Sequence, residues 1–96
     1  MAYVLLILAE DGVHPKVFKD LDSAGRELTR QMGRKPRDGI VLQKRYRDNW
    51  GRTLIIEERP KGWTAPKERA LGAAFDARET GTATPAQLAL LEQHHF

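Results

Sequence analysis

Apolar residues fill the start of the chain without interruption: Tyr3–Ala9 is seven in a row, closed by Glu10 and Asp11. A short unbroken run of this kind predicts a strand buried on both faces, since a half-exposed strand would alternate. It falls far short of the about 20 residues that span a bilayer. No Lys or Arg precedes it and no small-residue cleavage pattern follows, so a signal peptide is not expected. Ala2–Ala9 therefore reads as a strand, Glu10-Asp11-Gly12 as a turn and Val13–Phe18 as a short return strand. Pro15 has no N–H to offer a ladder, which puts the return strand at a sheet edge. The period then changes. Leu21, Ala24, Leu28 and Met32 recur at helical spacing after Asp20, a good N-cap, and Gly33 suits the left-handed position past the helix end.

Alternation returns at Gly39–Arg47, which places Ile40, Leu42 and Tyr46 on one face and Gln43, Arg45 and Arg47 on the other. Asp48-Asn49-Trp50-Gly51 supplies turn residues. Arg52–Arg59 reads as the returning strand around Leu54-Ile55-Ile56, stopped by Pro60. Beyond residue 63 the pattern is helical. Thr64-Ala65-Pro66 opens a segment with Ala70, Leu71, Ala74 and Phe75 as its apolar stripe and Gly81 as its stop. Thr84-Pro85-Ala86-Gln87 is a capping box with proline at the first helical position, followed by a helix to Phe96 with Leu88 and Leu91 facing its core.

These elements predict an α+β fold: a β-β-α-β-β antiparallel sheet over residues 1–62 with one helix on one face, then a C-terminal helical hairpin over 63–96. The helix at 21–32 covers only one face of a first strand that is apolar throughout. The C-terminal pair is the expected cover for the other face, and a homodimer is the alternative. At 96 residues the chain has room for one small domain. Of the two glycines inside predicted helices, Gly25 and Gly72, each is expected to permit close helix–sheet approach.

Composition narrows the chemistry. Hydrophobic residues make up 41% and charged residues 30%, a globular balance in a protein expected to be soluble and, by default, cytoplasmic. The absence of cysteine removes a disulfide framework, a thiolate metal site and a Cys nucleophile together. The net charge of +3 is modest but unevenly spread. Residues 33–62 carry nine basic and four acidic side chains, while the remaining stretches are each slightly acidic. Arg34, Lys35, Arg37, Lys44, Arg45, Arg47 and Arg52 gather on the loop before the second hairpin and around its tip, with Tyr46 and Trp50 among them.

Cations neutralise phosphates and an exposed aromatic ring stacks on an unpaired base, so this pattern points to RNA or DNA. The same residue types also dominate protein–protein hot spots, which leaves a host-protein partner open, as for a small inhibitor or adaptor of the mobile-element kind. The string Trp50-Gly51-Arg52 resembles the WGR-domain signature over three residues. In that family the string precedes the helix, whereas here the helix at 21–32 comes first, and no family property is carried over.

No catalytic residue is assigned. Ser23, the only serine, sits in a first helical turn where it serves the backbone. Glu57 and Glu58 are adjacent on a strand and point to opposite faces. A metal-independent ribonuclease could use Arg, Lys and Tyr of the middle third, but His14, the one histidine within the sheet region, belongs to another edge. His94 and His95 are adjacent at the C-terminus and make a poor chelating pair, so neither a metal nor another cofactor is expected. The last helix has no Arg or Lys, against a helix-turn-helix reader. The expectation is a non-catalytic binding module, with no membrane association, whose working surface is Arg34, Lys35, Arg37, Lys44, Arg45, Arg47, Trp50 and Arg52.

Overall fold

The computed structural model describes residues 1–94, in two units, the first Met1–Trp63 and the second beginning at Thr64. His95, half of the adjacent histidine pair, and the last residue of the expected final helix lie outside the described residues.

The first unit contains β1 (Ala2–Ala9), β2 (Gly12–Phe18), α1 (Leu21–Met32), β3 (Tyr46–Arg47) and β4 (Thr53–Arg59). The strands form one antiparallel sheet in the order β2-β1-β4-β3. The unbroken apolar run takes a central position, as its composition requires: β1 is paired along both edges, with Leu6 opposite Pro15 of β2 and Ile55 of β4. Pro15 stands on the outer strand, where the missing N–H breaks no ladder.

The core forms where α1 lies on the sheet. Leu5 and Ile7 of β1, Leu54 and Ile56 of β4, and Tyr46 of β3 meet Ala24, Leu28 and Met32, the predicted stripe of α1. Each of Leu5, Leu28, Leu54 and Ile56 is fully buried. On the opposite face of β1, Ala2 and Val4 are also buried, while Leu6 and Leu8 are partly exposed. Asp20 caps α1 by accepting from the Ser23 N–H at 2.7 Å, and Gly33 ends it with φ 73°. Glu27 ties the helix to the edge strand: it accepts from Lys16 of β2 at 3.1 Å, and from Arg30 and Gln31 on its own helix. The Arg30 hydrogen bond, reinforced by Gln31 and Lys16, outweighs partial burial and lowers the Glu27 carboxyl from 4.5 to about 2.

The second hairpin is shorter than the alternation predicts. Instead of a strand over Gly39–Arg47, only Tyr46 and Arg47 join the ladder, opposite Leu54 and Thr53. Gln43 has φ 64°, a left-handed turn that no strand accommodates, although its N–H still reaches the Ile56 carbonyl at 2.8 Å. The Tyr46 hydroxyl organises the loop instead, donating to the Gly39 carbonyl at 3.1 Å and accepting from the Val41 N–H at 2.8 Å. Ile40, Leu42 and Tyr46 pack on the core as expected, two of them from a loop. Gly25 does permit a close approach, but of that loop rather than of the sheet: a Cβ there would lie 3.0 Å from Ile40 Cγ1. At Gly72 a Cβ would meet nothing within 4 Å, so no close approach explains it.

The second unit pairs α2 (Ala65–Glu79) with α3 (Pro85–Gln93). Thr64 caps α2, and the predicted capping box is present on α3, with the Thr84 hydroxyl accepting from the Gln87 N–H and the Gln87 amide accepting from the Thr84 N–H. Leu71, Ala74 and Leu91 are buried; Ala70 and Leu88, expected on the apolar faces, are exposed. Among the described residues no helix is long and apolar enough to cross a membrane.

Candidate functional site

The tip between β3 and β4 is a five-residue connection, 48–52, in which the Asp48 N–H donates to the Arg52 carbonyl at 3.1 Å and encloses Asn49, Trp50 and Gly51. Gly51, at φ 81°, takes the left-handed position that such a loop requires. Asp48 is the anchor. Its side chain is wholly buried and accepts from the Trp50 N–H at 2.9 Å, the Arg52 N–H at 2.8 Å and the Arg52 Nε. Burial works against the ionised carboxyl, but the hydrogen bonds from Arg52 and from the Trp50 backbone prevail and hold it below the usual carboxylate range.

Arg52 then reaches onward to α1, donating to Gln31 Oε1 at 3.1 Å and to the Gln31 carbonyl at 3.0 Å. That carbonyl is one of the last four of the helix, which lack partners within it, and a guanidinium there also complements the negative helix end. Its place beside the turn predicts an exposed surface for Arg52, shared with Arg45 and Arg47. Instead it follows the α1-side face of Leu54, and its side chain is only 27% exposed. It builds the tip, and neither Asp48 nor Gln31 was foreseen as its partner. Sequence held one signal: an aspartate opening a turn with an arginine four residues later.

Trp50 stands on this platform with 68% of its surface exposed. One edge of the indole comes within 3.9 Å of where a Cβ on Gly33 would stand, and the Arg52 guanidinium lies 5.7 Å from the ring centroid. The ring is therefore positioned, not buried.

Arg34, Lys35, Arg37, Lys44, Arg45 and Arg47 are all exposed. Arg34 follows the α1 cap directly, and its Nη2 is 3.5 Å from the Arg47 carbonyl, which brings this one loop cation beside the tip. Lys44 alone among the six has a carboxylate neighbour, Asp38 at 3.9 Å, and it lies 5.2 Å from the Tyr46 ring centroid. Among the described residues the other five make no ion pair. Tyr46, counted among the interleaved aromatics, is buried and serves the core, so it offers no stacking face. A second feature adjoins this surface: a cleft of ≈ 490 Å³ between α1 and the loop at 35–40.

Neither a protein-family model, nor a curated protein, nor a solved structure matches the chain, so the reading of this surface rests on its own residues.

Proposed function

We propose that the protein binds single-stranded nucleic acid, RNA or DNA, through the exposed indole of Trp50 and the cations around it, without catalysing a reaction. The observation that supports this most is the company Trp50 keeps. A tryptophan 68% exposed sits on the turn that follows Arg47, whose carbonyl Arg34 reaches, and Arg34, Lys35, Arg37, Arg45 and Arg47 are exposed with no carboxylate partner among the described residues. An unpaired base gains about 1–3 kcal/mol by stacking on an aromatic ring, and adjacent phosphates supply the anionic partners the cations lack.

Fluorescence anisotropy with labelled single-stranded oligonucleotides tests it. Four or five neutralised phosphates give a log–log salt slope of about −3 on a single strand. Trp50→Ala is expected to weaken binding by about 2 kcal/mol, roughly 30-fold, with an unchanged melting temperature. The same tryptophan would suit a protein partner, but that contact would respond weakly to salt. No oligonucleotide binding, or an affinity indifferent to salt, overturns the nucleic-acid reading.

A further inference from the structure

On α1, Leu21, Gly25 and Thr29 fall four residues apart along one side of the helix, and Gly33 is its left-handed C-cap. Leu21, Gly25 and Thr29 line the cleft against the loop at 35–40, and Gly33 lies under the edge of Trp50. The cleft and the exposed indole are thus stations on one track, with Gly25 and Gly33 about 12 Å apart along the helix axis.

The cleft joins apolar and charged residues in one lining. Because Gly25 has no side chain, Ile40 settles directly onto the helix backbone, and with Leu21 it forms an apolar surface suited to a flat ring. Arg26 and Lys35, both exposed, belong to the same lining. Arg26 makes a single side-chain hydrogen bond, to Ser23 Oγ at 3.3 Å, which leaves most of its donors available. Lys35, Thr29 and Asp22 also line the cleft, and their side chains have no partner among the described residues. The volume of ≈ 490 Å³ lies within the range of small-ligand sites. A ring to cover Ile40, an anion for Arg26 and Lys35, and hydroxyl or amino groups for Thr29 and Asp22 together describe a nucleotide.

We infer that this cleft takes a nucleoside phosphate, with the base against Ile40 and Leu21 and the phosphate between Arg26 and Lys35. The choice of a nucleoside over other ring-bearing anions rests on the proposed nucleic-acid reading; the pocket chemistry does not. Ile40 and Leu21 give the site a requirement for a ring that a bare phosphate cannot meet.

The test is amide NMR of the full chain, titrated separately with a nucleoside 5′-monophosphate, the unphosphorylated nucleoside and inorganic phosphate. The expected result is a set of shifts at Gly25, Thr29, Gly39 and Ile40 with a monophosphate dissociation constant on the order of 1 mM or tighter. The nucleoside and inorganic phosphate should each bind at least about tenfold more weakly, since each lacks one half of the contact. R26Q combined with K35Q, both at exposed positions, should cost the monophosphate about tenfold or more, whereas Trp50→Ala should leave its binding unchanged. Because Lys35 belongs to both surfaces, the oligonucleotide arm uses R26Q alone: an affinity that falls identifies the ligand as a unit of a bound strand, and an unaltered one identifies it as a free nucleotide. No shifts at the cleft, or equal binding of inorganic phosphate, overturns the inference. Loss of oligonucleotide binding in Trp50→Ala alongside an empty cleft would leave the Trp50 reading standing by itself.

Discussion

At Trp50 and Arg52, two positions apart on one turn, binding and stability separate. Trp50 makes few contacts and its loss exposes little, so its removal should be felt by a ligand. Arg52 is the reverse: it joins Asp48 to the end of α1, and removing it strands a wholly buried carboxylate and uncaps the Gln31 carbonyl. Arg52→Ala is expected to lower the melting temperature by about 5 °C or more, read by thermal unfolding. An unchanged melting temperature would show that Asp48 holds the turn without it. In the sequence this distinction shows only as an aspartate four residues before one of the arginines. Arginines 34, 45, 47 and 52 look alike as letters, and only the buried Asp48 tells the structural one from the others. The exposure of Trp50 was legible, because a large apolar residue at a short turn has few core neighbours within reach.

Among the elements, α1 and the β3 segment show how far hydrophobic pattern carries. For α1 the stripe, the Asp20 cap and the Gly33 stop all emerge at the expected residues, because helical spacing and cap chemistry are local. Over 39–47 the alternation correctly marks which side chains face the core but not how their backbone is held. Inward-pointing Ile40 and Leu42 satisfy the pattern from a loop fastened by the Tyr46 hydroxyl, and no local signal announces the left-handed Gln43. The tie between α1 and β2 predicts an acid response. Glu27 has its carboxyl lowered to about 2, so its contribution is complete above its ordinary value of 4.5 and is lost as the pH falls through that window. With Arg30 exposed and screened, the loss should amount to about 1–2 kcal/mol. Denaturant unfolding at a series of acid pH values should show that component in the native chain and not in Glu27→Gln.

For the whole chain, the unequal distribution of charge matters more than its sum. All the excess cation lies in residues 33–62, within the first unit, and the structure sets Arg34, Lys35, Arg37, Arg45, Arg47 and Lys61 at the surface without a carboxylate partner among the described residues. This large-scale asymmetry could be counted from the sequence directly; the cleft beside α1 could not, because it depends on Ile40 meeting a bare Gly25. If the cations act on phosphates, replacing Arg34, Arg45 and Arg47 together by Gln should flatten the oligonucleotide salt slope by about 2, at 0.7 per lost phosphate contact. A slope unaltered by the triple replacement would place the phosphates elsewhere.

The edge proline has a consequence for life in a crowded solution. β2 is seven residues long and pairs only with β1, so its outer side is a row of hydrogen-bonding groups on which another molecule's strand could crystallise out of solution. Pro15, in the middle of that row, removes one donor and interrupts the template. Pro15→Val should restore a continuous edge and make the protein self-associate as concentration rises, visible as growing mass in light scattering while dilute samples stay unchanged. In this sense a single imino acid guards the sheet against its own copies.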